Sequence, residues 1–69
     1  MKKYTGYAIY WTYRDGSEDT CIEYGAGARN MLINHLLNRE DLDGNKEVIE
    51  LKYCRIYASG EYGKRIWVR

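Results

Sequence analysis

YAIYWTYRDGSEDTCIEY, Tyr7–Tyr24, decides the reading of the fold. Asp15-Gly16 interrupts two strand-like runs, and it is a preferred two-residue hairpin turn because both central positions of a type I′ turn need positive φ. Such a turn opposes Tyr13 with Glu18, Trp11 with Thr20, Ile9 with Ile22 and Tyr7 with Tyr24 on one face. The other face then holds Thr12 with Asp19, Tyr10 with Cys21 and Ala8 with Glu23. The first set is the more apolar and is expected to look into the core. The first strand nevertheless carries bulky aromatic rings on both faces, and the second greasy face needs a reason.

Working outward, Gly25-Ala26-Gly27 is a flexible entry to a helix running from Ala28 to about Asp41. On a helical wheel Ala28, Leu32, Ile33 and Leu36 cluster, while Asn30, Asn34 and Asn38 line another side, which predicts one buried stripe. Asp43-Gly44-Asn45 supplies the stop. Glu47 to Ala58 alternates Ile49, Leu51 and Tyr53 against Glu50, Lys52 and Cys54. Ser59-Gly60 turns the chain into Tyr62 to Arg69, and a two-residue turn there pairs Leu51 with Val68, Tyr53 with Ile66 and Arg55 with Lys64. The order is ββαββ: an α+β fold, a four-stranded, mostly antiparallel sheet with one helix packed on one face, forming a single domain over 1–69.

One helix covers one side of a sheet and no second helix covers the other. The uncovered face is expected to carry Tyr4, Ala8, Tyr10, Thr12, Cys21, Cys54, Ile56 and Trp67, edged by Lys52, Arg65 and Arg69. Contiguous exposed apolar surface marks a contact site, and tyrosine, tryptophan and arginine are enriched where partners bind. The predicted binding residues are therefore Tyr10, Lys52, Ile56, Arg65, Trp67 and Arg69.

Composition agrees with a small globular domain. The chain has 69 residues, 45% hydrophobic and 30% charged, with eight tyrosines, two tryptophans and neither proline nor phenylalanine. Tyrosine joins an apolar body to a polar tip, which suits a half-wet surface. Two cysteines are too few for a disulfide scaffold and read as reduced thiols. Met1-Lys2-Lys3 is basic, but Tyr4-Thr5-Gly6-Tyr7 is no apolar signal segment, and no run is long enough to span a bilayer. A cytoplasmic location and no membrane partner are expected. Net charge is +1, with basic ends around an acidic middle in which residues 15–51 hold nine acids.

Chemistry-bearing motifs are weak. Asp41-Leu42-Asp43-Gly44-Asn45-Lys46-Glu47 alternates oxygen ligands, but a calcium loop needs its glycine at the sixth position and a glutamate at the twelfth. No metal is expected. His35, the single histidine, reads as a partly buried helix residue, far in sequence pattern from either thiol, so no catalytic group and no cofactor are called. Gly25-Ala26-Gly27-Ala28-Arg29 follows a strand and opens a helix, a place where amides can cradle an anion, but it lacks phosphate-loop spacing and reads first as a joint.

The stretch YCRIYASGEYGKRIWV, Tyr53–Val68, resembles the closing hairpin of short phage and mobile-element proteins. Some proteins of that size and source are inhibitors that block host defence complexes, such as anti-CRISPR proteins. The resemblance implies a stoichiometric, non-enzymatic binder and identifies no functional residue. The expected function is a small binding protein, its partner another protein, with a homodimer as one form of that contact. Two alternatives stay open: a nucleic-acid-binding module using the same face, and an acidic nucleic-acid mimic formed by residues 15–50. Near-neutral overall charge weighs against nucleic acid as the main partner.

Overall fold

In a computed structural model, which describes residues 3–38 and 47–69, the chain runs β1 (Tyr4–Tyr13), β2 (Glu18–Glu23), α1 (Ala26–Leu37), β3 (Val48–Tyr57) and β4 (Ile66–Trp67). The four strands form one sheet in the order β2-β1-β3-β4, and every pairing is antiparallel. The shortest extent of the described chain is 15 Å. That thickness is one sheet plus one helix, which pack about 10 Å apart, with no third layer. The expected ββαββ architecture is present.

The first hairpin closes differently from the expected turn. Tyr13 N–H donates to the Ser17 carbonyl at 2.8 Å and Gly16 N–H to the Tyr13 carbonyl at 3.0 Å, with Gly16 at φ +91°. This is a three-residue loop, Arg14-Asp15-Gly16, in which glycine takes the left-handed position of a bulge. Asp15 Oδ1 steadies it by accepting the Ser17 N–H at 2.9 Å. The added residue slips β2 by one place, so Ile9 faces Cys21, Tyr10 faces Thr20 and Ala8 faces Ile22. A one-residue slip exchanges the faces of a strand. Cys21 therefore packs against the core rather than beside Tyr10, and Ile22 points away from the helix and is exposed.

Two irregularities flank the β1–β3 ladder. One between Thr12 and Tyr13 sets Tyr13 opposite Val48, which takes the core place expected for Ile49 and leaves Ile49 exposed. The other, between Tyr4 and Gly6, puts Tyr4 opposite Tyr57 on the helix side, not on the uncovered face. There its ring lies 5.6 Å from Tyr7 and 6.4 Å from Tyr57, both edge-on.

The second hairpin repeats the first loop: Tyr57 N–H donates to Glu61 O and Gly60 N–H to Tyr57 O, both at 2.8 Å, with Gly60 also at φ +91°. Ile56 then bridges Tyr62, yet farther on Tyr53 faces Ile66 and Lys52 faces Trp67, as expected. An extra residue between Tyr62 and Ile66 undoes the slip. In place of an Arg55–Lys64 pair, Gly63 N–H bonds the Arg55 carbonyl at 2.8 Å.

Helix α1 begins at Ala26 and ends at Leu37, earlier at both ends than the sequence pattern suggests, with Asn38 closing it through N–H and Nδ2 bonds of 3.0 and 2.9 Å to the Asn34 carbonyl. Its inward stripe is Arg29, Leu32, Ile33, Leu36 and Leu37, while Ala28 is exposed. The core beneath it is Tyr7, Ile9, Trp11, Tyr13, Val48 and Leu51, closed by Ile33 and Leu36. Asp41 and the Asp43-Gly44-Asn45 stop lie outside the described residues.

Candidate interaction face opposite the helix

The face turned away from α1 is built by alternate residues of two ten-residue central strands and their neighbours. β1 contributes Ala8, Tyr10 and Thr12, and β3 contributes Glu50, Lys52, Cys54 and Ile56. β2 adds Glu18, Thr20 and Ile22, and β4 adds Trp67. Its floor is sealed: Ala8 and Cys54, opposite each other, are each 1% exposed. Small side chains there leave room for larger neighbours to close over them.

Two aromatic rings stand on that floor, each bearing a cation. The Lys52 Nζ lies 4.6 Å from the centre of the Trp67 ring, and the Arg65 guanidinium lies 4.8 Å from that of Tyr10. Arg65 reaches Tyr10 from beyond β3, because the extra residue before Ile66 frees the chain there from the ladder. Tyr10 is half-buried, and burial pushes its phenol above the ordinary value, as does the hydrogen-bonding Cys54 thiol, while Arg65 opposes the rise. Trp67 remains 60% exposed. Ile56 is half-buried, bridged by the exposed Tyr62.

Five of the six sequence-predicted binding residues thus gather on or over one face: Tyr10, Lys52, Ile56, Arg65 and Trp67. Arg69 does not join them freely. Its Nη1 donates to the Val48 carbonyl at 3.0 Å and its main chain bonds Leu51, which ties it to the sheet edge. A groove of about 500 Å³ runs between the Lys52–Arg65 side and Glu18 and Thr20 on β2. Glu18, Thr20 and Ile22 escaped the sequence reading because a two-residue turn puts them on the other face. Reading Arg14-Asp15-Gly16 as a three-residue loop would have found them. Tyr62 was assigned to the strand but to no site.

The remaining candidates resolve simply. His35 is exposed on α1 rather than partly buried. Cys21 lies against the core, where burial and the adjacent Glu23 carboxylate raise its thiol above the ordinary range and keep it protonated. Among the described residues, no group of three His, Cys, Asp or Glu side chains is placed to hold a metal ion. Of the Asp41–Glu47 string only Glu47 is described, and it is ion-paired with Arg14. No helix among the described residues is long and apolar enough to cross a membrane. No known protein family, curated protein or solved structure matches this chain.

Proposed function

We propose that this chain is a non-catalytic binding protein that acts by laying its uncovered sheet face on a protein partner. The observation that carries the reading is Trp67, 60% exposed beside Lys52 on a face with no covering layer. Large rings with cations at hand are the residues that dominate binding energy when a partner excludes water from them. Lys52 and Arg65 have no carboxylate ion-paired to them among the described residues, and Glu18 and Asp19 line the other side of the groove, so the matching surface carries both signs, with its acids opposite Lys52 and Arg65. The resemblance of Tyr53–Val68 to mobile-element proteins gives the reading its finer form, an inhibitor that occupies the surface of a host complex.

The same aromatic and basic residues favour single-stranded nucleic acid as a second reading. Two features weigh against it: each ring already has a face occupied by its own cation, and Glu18 and Glu50 flank the groove on the same side. Stacking of bases needs free ring faces, and backbone binding needs uncompensated positive surface.

The test begins with mass in solution by light scattering, which separates a homodimer from a monomer that seeks a foreign partner. Affinity capture from host lysate then compares the native chain with Trp67→Ala and Arg65→Glu. Proteins retained by the native chain and lost with both variants support the reading. Identical capture by all three, or oligonucleotide binding whose affinity falls steeply with salt, replaces it.

A further inference from the structure

The uncovered face carries its charges in rows, and the strand register sets them. Thr12 faces Glu18 on β2 and Glu50 on β3, so two acids flank one threonine in a line across the strands. The next outward line, two residues farther along each strand, runs Thr20, Tyr10, Lys52 and Trp67. There Lys52 lies on the Trp67 ring and the Arg65 guanidinium on the Tyr10 ring. An acidic row thus adjoins a basic one, about 7 Å away at two residues of strand rise. Glu18 and Glu50 are exposed, and neither is ion-paired among the described residues.

A surface with both signs in adjacent rows can match itself. Two such faces close on each other about a two-fold axis in the plane between them, which runs either along the strands or across them. An axis along the strands returns each row to its own level. Glu18 and Glu50 of one copy then stand against those of the other, and like charges so placed repel. An axis across the strands, passing between the two rows, exchanges them. Glu50 of each copy then meets Lys52 of the other, because β3 lies over its own image. The same rotation carries Glu18 toward the row where Arg65 leans over Tyr10. These pairings are reciprocal, as an isologous contact requires. Trp67, 60% exposed beside Lys52, borders the new pair and excludes water from it. A net charge of +1 leaves two copies little long-range repulsion to overcome.

We propose that the free chain covers this face with a second copy of itself, in a two-fold dimer whose axis crosses the strands between Glu50 and Lys52. The inference rests on the reading of the face as a protein-binding surface and names the partner it meets first. Ile56 and Tyr62, two rows beyond Lys52, overhang the partner copy in this arrangement. The contact therefore uses part of the face and is small, of the kind that exchanges readily. A foreign protein that engages the whole face displaces the second copy.

The experiment is sedimentation equilibrium of the native chain from micromolar to millimolar concentration, at low and high salt. The expected result is a monomer that becomes a dimer as concentration rises, with association weakened by salt. Glu50→Lys and Lys52→Glu each weaken association by at least about tenfold. An equimolar mixture of the two variants recovers it, since each reversed charge meets its opposite in the mixed pair. Recovery on mixing separates a lost contact from a lost fold. In the native chain, concentration-dependent amide shifts are expected at Glu50, Lys52 and Trp67 and not along α1, which decides the matter even where a variant fails to fold. A monomer throughout the range, shifts centred on α1, or folded variants that associate like the native chain or stay monomeric when mixed overturn the proposal. If the native chain is monomeric, lysate capture that still depends on Trp67 and Arg65 keeps the protein-partner reading. Capture indifferent to both loses that reading as well.

Discussion

On the helix side of the sheet, guanidinium groups lie on the rings of Tyr7, Tyr53 and Tyr4; on the opposite face, Lys52 and Arg65 lie on Trp67 and Tyr10 in the same way. The difference is cover. Tyr7 sits beneath a helix and beside Ile9 and Leu51, whereas Trp67 has a lysine and water. An exposed cation–π contact stabilises by about 0.5–1 kcal/mol, too little to account for keeping an indole at the surface. A ring under the helix is explained by the core that it completes. A ring opposite the helix, such as that of Trp67, completes no such core.

Substitutions measure that contrast. Leu51→Ala, at a fully buried position shared by both central strands, is expected to cost about 2–5 kcal/mol, read as a shift in urea midpoint. For a domain of this size that approaches the whole stability. Gly16→Ala and Gly60→Ala each force a side chain into φ +91° and are expected to cost about 1–2 kcal/mol apiece. Unequal losses would mean that the two loops differ in how far they hold their strands. Trp67→Ala is expected to cost under about 1 kcal/mol by the same assay. A loss near that of Leu51→Ala would erase the distinction between the faces.

The finest comparison is between phenols. Tyr7 and Tyr10 are both raised, chiefly by burial, above the ordinary 10.0. Their folded values exceed their unfolded ones, so the native state holds more protons between the two. Stability they contribute is complete below about pH 10 and is lost as pH climbs through the folded values. Absorbance at alkaline pH is expected to show these two ionising above the ordinary tyrosine value, with unfolding promoted over the same range. Ionisation of Tyr10 at the ordinary value would remove the claim that it is sheltered.

Much of this was legible in the sequence. Alternation in Tyr7, Ile9, Trp11 and Tyr13 marked the inward face of β1, because period-two patterning survives whatever turn follows. The outward face of β1 and β3 followed from it, and with it Tyr10, Lys52 and Ile56. What failed was everything downstream of a loop length. Asp-Gly and Ser-Gly fit a two-residue turn and a three-residue loop alike, and the choice depends on backbone twist. In β2 the slip persisted and exchanged Cys21 with Ile22. In β4 a later bulge cancelled it, so Trp67 was placed correctly by two compensating departures. Arg29 was missed as a core-side residue because a charged head obscures an apolar stem that packs on tyrosine.

The central ladder joins residues 4–13 to residues 48–57, partners separated by most of the chain. Each hairpin can close on its own within about 1–10 μs, but an isolated hairpin is marginal in water. The slow event is then the meeting of β1 with β3, which must close the long loop carrying β2 and α1 before either gains a buried surface. Ile9 and Leu51 sit at that seam, so their truncation should retard folding itself, while changes at Trp67 leave its rate alone.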